Sequence, residues 1–366
     1  LAVSFDTHVG HDFFAQAEER FDFYHQAESR LPFDLNIFNE MTKGGVPAKT
    51  LNIVLAGTNV GKSLFLVHLA AACLRMSKKV LYITLEMAEE RIAERIDANM
   101  LDIPMDDLIA LPRERYLKKL QTLQQTSTGR IIIKEYPTAT AHSGHFRALL
   151  HELKMKQNFT PDILFVDYLS ICASARIKMG NAINSYTYNK FIAEELRGLA
   201  VEQNMPIWTA AQFNRQGFAS SDPDLSNVGE SFGIPQTADF MLALTTSEEL
   251  ERNNQIQAYV LKNRYAKRNS YQKFILGVDT SRMKLYETNI NSVTGDVAAV
   301  KAATDAGAEG LAGRERDGTA GGVVTSAVYR PPSARGPHEA SRPYDAAPAR
   351  RYTGAHGHRP RHLRDA

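Results

Sequence analysis

The sequence predicts an α/β fold: a mostly parallel twisted sheet with helices on both faces and a late antiparallel extension. Three observations carry that expectation. Between Thr50 and Ala211, short apolar runs alternate with helical stretches. Such alternation makes βαβ units, whose helices cover both faces of a parallel sheet. After Asp239 the alternation gives way to four strand-like runs joined by short links. One early strand also runs into a helix through Ala56-Gly57-Thr58-Asn59-Val60-Gly61-Lys62-Ser63, which has the spacing of a Walker A loop.

Residues 1 to about 30 read as a short leader and an amphipathic helix. Phe14, Ala17, Phe21 and Tyr24 recur at three- and four-residue steps, with Glu18, Glu19, Arg20 and Asp22 on other faces. Such a helix either packs on its own domain or docks on a neighbouring subunit. The strands follow as Leu51 to Ala56, Val80 to Leu85, Ile131 to Ile133, Ile163 to Val166 and Ile207 to Ala211. Helices over 62–76, 89–99, 143–157 and 186–203 lie between them. The extension comprises Phe240 to Leu244, Gln257 to Leu261, Lys273 to Val278 and Met283 to Tyr286. From about residue 291 Gly, Ala, Pro, Arg and His dominate, and no Lys follows Lys301. A segment of that composition cannot bury enough apolar surface to fold. The switch from Lys to Arg points to a tail outside the original reading frame. The expected organisation is a leader and helix over 1–30, an α/β domain over 31–290 and a disordered low-complexity tail over 291–366.

The chain's 366 residues suffice for one large domain or two small ones. Its 43 basic and 41 acidic residues give a formal charge of +2, which excludes a histone-like polycation and leaves room for a local basic stripe. Cys73 and Cys172 are too few for a disulfide framework, so a reducing cytoplasm is the expected home. No apolar run reaches the roughly 20 residues of a membrane helix, and no membrane association is expected. The first residue is Leu1 rather than Met, which points to a fragment.

In the loop, Gly57 and Gly61 let the backbone turn its N–H groups toward phosphate oxygens, and the helix beginning near Lys62 adds its positive dipole end. Lys62 is expected to reach the β- and γ-phosphates, with the Ser63 hydroxyl on Mg²⁺. Ala56 stands where Gly is commoner. Ile163 to Asp167 is an apolar strand ending in a carboxylate, so Asp167 is the expected partner of the Mg²⁺ hydration shell. Tyr168 follows it rather than Glu, so the water-activating base must sit elsewhere. Glu86 is the candidate. It ends the strand after the loop's helix, and that strand is expected to lie next to the loop strand. The alternative for Glu86 is a helix cap ahead of Glu89 and Glu90. Gln212 ends a further strand and is placed to contact the γ-phosphate, because ligands of open α/β sheets bind at the carboxyl ends of the strands. His142, His145 and His151 lack the carboxylate or Cys spacing of a zinc site and read as a solvated helix start. The run Arg113 to Lys119 reads as the wet face of a helix.

The ordered set Ala56 to Ser63, Thr84-Leu85-Glu86-Met87, Val166-Asp167-Tyr168-Leu169, Gln212-Phe213-Asn214-Arg215 and Lys262-Asn263-Arg264 resembles the DnaB-type hexameric replicative DNA helicases. Arg95 to Asp102 and Ala193 to Arg197 are most similar to the T-even-type phage branch, and the likeness covers roughly residues 1 to 290. The resemblance implies a RecA-like P-loop ATPase core and a homo-hexamer ring with ATP bound between neighbours. It implies an arginine finger at Arg264, with Lys262 beside it, acting on the next subunit's γ-phosphate. It also implies that single-stranded DNA threads the ring against Arg176 and Lys178 in residues 173–184 and against Glu230, Ser231 and Phe232 in residues 227–239. Gly229 stands where bacterial relatives carry Arg, which shifts grip toward backbone N–H groups. Primase and a helicase loader are the implied partners, and the N-terminal domain that the family usually carries is not expected within these residues. The competing readings are a RecA-class strand-exchange recombinase and a regulatory P-loop ATPase without motor activity. The Gln-Phe-Asn-Arg and Lys-x-Arg pattern favours the helicase.

Overall fold

The computed structural model describes residues 10–25, 29–178, 184–212, 233–266 and 273–288. The tail and the residues Phe213, Asn214, Arg215, Glu230, Ser231 and Phe232 lie outside these described residues. The chain begins with α1 (Ala17–His25) and a small antiparallel pair, β1 (Arg30–Leu31) and β2 (Val46–Pro47), with α2 (Asn36–Thr42) between them. There follow β3 (Leu51–Ala56), α3 (Lys62–Arg75), β4 (Lys79–Thr84), α4 (Glu89–Leu101), α5 (Met105–Ala110), α6 (Arg113–Thr126) and β5 (Arg130–Glu135). Next come α7 (Ser143–Gln157), β6 (Ile163–Asp167), a 3-10 turn (Leu169–Ile171), α8 (Ser185–Glu202), β7 (Ile207–Gln212) and α9 (Gly233–Thr237). The described chain closes with β8 (Phe240–Thr245), α10 (Glu248–Arg252), β9 (Gln255–Asn263), β10 (Lys273–Asp279) and β11 (Lys284–Glu287).

Among the described residues nine strands form one sheet in the order β11-β10-β9-β8-β3-β7-β6-β4-β5. The six strands from β8 to β5 run parallel. Strands β9, β10 and β11 extend the sheet antiparallel. Side-chain alternation along β3 divides the core. Leu51, Ile53 and Leu55 face the layer built by Phe146 of α7 and Leu196 and Leu199 of α8. Val54 and Ala56 face Phe65 of α3 and Ile92 of α4. Phe65 and Phe240 meet the buried Trp208 at 5.6 and 6.0 Å between ring centroids. Each such side chain contributes roughly 1.5–3 kcal/mol by leaving water. This apolar mass fixes the sheet whose carboxyl edge carries the site.

Two expectations are corrected. Strand β4 does not lie next to β3: β7 and β6 separate them, and β3 pairs instead with β7 and β8. Buried strands of similar apolar composition carry no label for their neighbours, so chain order was a poor guide to sheet order. Phe14 is also not part of α1. The Asp12 carboxylate accepts hydrogen bonds from Phe14 N and Ala15 N and makes a turn there. Phe14 and Phe21 remain 87% and 60% exposed, so neither packs into the core. Helix α6 does show Arg113 to Lys119 largely to solvent.

Candidate active site

The loop after β3 reverses through Asn59, at φ 61°, and Gly61, at φ 110°. The latter value is one that a side chain resists, which makes glycine the natural residue at the start of α3. Helix α3 begins at Lys62 directly after that glycine, so its first N–H groups open into the loop. The Lys62 side chain is folded inward and donates from Nζ to Gly57 O at 3.1 Å. Burial pushes the Lys62 ammonium below its usual pKa, and the charges of Glu86 and Asp167 work against that shift. Its Nζ also stands 5.8 Å from the centre of the Tyr168 ring. An anion between Lys62 and the loop amides relieves the burial cost.

Asp167 ends β6 with 1% exposure. Burial raises its carboxyl pKa, opposed by the bond from the Tyr82 hydroxyl and by the nearby Ser63 hydroxyl. The Tyr82 hydroxyl donates to Asp167 Oδ2 at 2.9 Å. Asp167 Oδ1 is buried and has no hydrogen-bond partner. A buried carboxylate oxygen without a donor, with a serine hydroxyl alongside, is the donor chemistry a hard divalent cation takes. The residues present therefore fit Mg²⁺.

Glu86 is placed by the turn leaving β4. Thr84 Oγ1 donates to Met87 O at 2.8 Å and accepts from Met87 N at 3.0 Å. Leu85 N donates to Asp167 O at 2.8 Å, and the Thr138 hydroxyl donates to Leu85 O at 2.7 Å. The Glu86 side chain stays exposed, with its charge acting on both Lys62 and Asp167. It caps nothing: Ala88 is the N-cap of α4 and makes no side-chain bond. Gln212 pairs in register with Ala56 at the adjoining strand end. Lys62, Ser63, Asp167, Glu86 and Gln212 thus gather at one edge of the sheet, despite the two strands between β3 and β4. Beside them a cleft of about 340 Å³ opens against Asn59, Val60, Leu64, Leu244 and Ile256.

Lys262 and Arg264 are elsewhere. Strand β9 runs antiparallel to β8, so Lys262 lies opposite Met241 and Asn263 opposite Phe240, at the start of β8. Lys262 Nζ donates to Pro235 O at 2.5 Å, and Arg264 pairs with Asp239 Oδ1 at 2.8 Å. Asp239 also holds Arg197 and accepts from Leu51 N at the beginning of β3. The pair therefore occupies the sheet edge opposite the phosphate loop, about 17–20 Å away by strand length.

Arg176 and Lys178 are exposed in the segment after the 3-10 turn. Arg176 pairs with Glu194 at 2.9 Å. The root of that segment is tied to Glu195 of α8, a residue that sequence reading did not single out. Glu195 accepts from Ser143 Oγ at 2.8 Å, Ser174 Oγ at 2.6 Å and Ala175 N at 3.0 Å. Tyr82 also went unnoticed, since a tyrosine inside an apolar strand carries no motif, and Thr84 was quoted only as part of the Thr84-Leu85-Glu86-Met87 stretch with no role of its own. His142 and His145 do start a helix: His142 accepts from Gly144 N at 3.0 Å, and His145 accepts from His142 N at 3.2 Å. No cluster of metal-binding side chains occurs among the described residues, and no described helix is long and apolar enough to cross a membrane.

Comparison with known proteins gives this geometry its relatives. The chain is 47% identical over 305 residues to the DnaB-like replicative helicase of Enterobacteria phage T4, covering 81% of this chain and 64% of that protein. It is 27% identical to a probable replicative DNA helicase of Trieres chinensis, over 56% of this chain and 45% of that protein. The chain thus spans less than two thirds of either relative. A solved DnaB-like replicative helicase, described with its interactions with primase, matches with a TM-score of 0.61 at 18% identity. That match covers 78% of this chain and 68% of the other, and at such identity it speaks for the fold alone. A solved ATPase domain matches with the same TM-score and identity, over 75% of this chain and 97% of its own length. The family model for the DnaB-like helicase C terminal domain matches residues 31–276, a span that takes in Lys62, Glu86, Asp167 and Arg264, and the chain belongs to that family.

Proposed function

We propose that this chain is the motor domain of a replicative DNA helicase, hydrolysing ATP to move along single-stranded DNA and separate the duplex. The observation that carries the reading is the meeting of Lys62, Asp167 and Glu86 at one sheet edge, with a carboxylate oxygen of Asp167 left free. The loop amides and Lys62 hold the triphosphate, and the cleft beside Asn59 has the size for the nucleoside. Ser63 and Asp167 hold Mg²⁺, which when bound neutralises charge on the phosphates. Glu86, exposed and fixed by the Thr84 turn, orients a water and takes its proton. Gln212 contacts the γ-phosphate and reports its loss to the residues that follow it.

Because Lys262 and Arg264 lie on the edge away from their own loop, they serve the ATP of a neighbouring copy, in a homo-hexamer ring. Arg176 and Lys178 face single-stranded DNA in the channel, with Glu230, Ser231 and Phe232 contributing the second contact. The exposed Phe14 and Phe21 are available to a neighbouring subunit. Primase and a loader are the proposed partners, and the cytoplasm of a phage-infected cell is the proposed location. The test is the ATP hydrolysis rate with and without single-stranded DNA across protein concentration. Stimulation by DNA that grows with ring formation is expected. Slow, DNA-independent turnover sinks the motor reading in favour of a regulatory ATPase, and DNA-coated filaments in place of rings favour a recombinase.

A further inference from the structure

We propose that Tyr82 is the positioning residue of the metal site: its hydroxyl holds one oxygen of Asp167 so that the other is presented to Mg²⁺. This rests on the proposed role of Asp167. Strand β4 is buried on both faces, and Val80, Leu81 and Ile83 are fully enclosed and apolar. A strand in that setting is normally apolar throughout. Tyr82 is equally enclosed, pairs in register with Phe165 of β6 and stacks on its ring at 5.9 Å. Phenylalanine would serve that packing as well, so the hydroxyl calls for a separate reason.

The reason is at its far end. The hydroxyl donates to Asp167 Oδ2 at 2.9 Å, while Oδ1 is buried without a partner. A carboxylate turns readily about its terminal torsion. Tied at one oxygen, it offers the other in a fixed direction. Outer-shell donors of this kind orient ligating carboxylates, and their loss weakens metal binding. The Ser63 hydroxyl also acts on this carboxylate, so Asp167 lies beside the phosphate loop.

Tyr82→Phe keeps the ring and its stacking and deletes only the hydroxyl. The probe is a fluorescent N-methylanthraniloyl ATP bound to the full chain at rising Mg²⁺, with a baseline in EDTA. The Mg²⁺ concentration at half-maximal tight binding is expected to rise on the order of 10-fold. Metal-free nucleotide binding and the unfolding temperature stay close to those of the unmodified chain. Asp167→Asn is run alongside. If Asp167→Asn loses the Mg²⁺ dependence while Tyr82→Phe keeps the original midpoint, the positioning role is overturned and the metal role of Asp167 stands. If neither variant moves the midpoint, Asp167 is not the metal's carboxylate and the proposal goes with it. A Tyr82→Phe chain equally weakened in EDTA also overturns it, since the hydroxyl then serves the fold rather than the metal.

Discussion

Glu86 and Asp167 bring two carboxylates into one corner, in opposite surroundings. Asp167 is enclosed, tied at one oxygen and bare at the other, which suits a cation. Glu86 is exposed at the end of a pinned turn, with room for water. Lys62 feels both charges, so an ATP phosphate entering between them meets a preset field. Glu86→Gln keeps the size of the side chain and removes its basicity. The expected variant binds MgATP with little change and loses about 10²–10⁴-fold in kcat. Lys62→Ala, in contrast, loses nucleotide affinity itself, because the charge that meets the phosphates is gone. Equilibrium binding beside single-turnover hydrolysis separates the two; a normal kcat in Glu86→Gln moves the base elsewhere. Motifs marked Lys62, Ser63, Asp167 and Glu86 in the sequence as candidates, and the fold brings these four to one end of the sheet. Tyr82 was not so marked, because its hydroxyl bonds a carboxylate that adjoins it only after β4 and β6 pair.

At the scale of elements, the segment bearing Arg176 and Lys178 is built on one carboxylate. Burial raises the Glu195 pKa, but bonds from Ser174, Ala175, Ser143 and Arg176 outweigh it and hold the carboxyl below its usual range. A carboxylate depressed in the folded state stabilises above the unfolded pKa of about 4.3, and that stability is lost as pH falls through the folded value. Glu195→Ala leaves those donors unsatisfied, at roughly 1–3 kcal/mol. The gap from the unmodified chain in denaturant unfolding should be full at neutral pH and shrink below about 4.3. The DNA concentration for half-maximal ATPase stimulation should rise as well, while DNA-free hydrolysis stays unchanged. An unaltered DNA requirement detaches Glu195 from DNA grip. Apolar runs and the 3.6-residue spacing made β3 to β11, α3, α4, α7 and α8 readable to within a few residues. Short α2 and α5 were not: α5 has no buried residue and is bounded by Pro104 and Pro112 rather than by a hydrophobic stripe. The neighbours of β4 were unreadable for a related reason. Its apolar residues state that both faces are covered and say nothing about which strand lies alongside.

Across the whole molecule, the phosphate loop and the Lys262–Arg264 pair occupy opposite sheet edges, and β3 and β8 run the full distance between them. Arg264 is held against Asp239 with its side chain 48% exposed, facing away from its own site. No rotamer of arginine spans a strand's length, so a role for Arg264 in hydrolysis requires a second copy. The geometry asks for a head-to-tail interface, which closes into a ring when the rotation allows. Arg264→Ala alone is expected to lose about 10³–10⁵-fold in kcat, as arginine fingers do. Lys62→Ala alone loses its own site but still offers a finger to its neighbour. In an equal mixture, a working site needs an intact Lys62 in one subunit and an intact Arg264 in the next. Random assembly with head-to-tail contacts gives that arrangement at about one site in four. DNA-free hydrolysis should therefore rise from near zero in either pure variant toward that fraction of the unmodified rate, peaking at equal proportions. Flat, dead mixtures at every proportion mean that the finger and the phosphate loop do not meet across subunits, and Arg264 then belongs to the Asp239 ion pair alone.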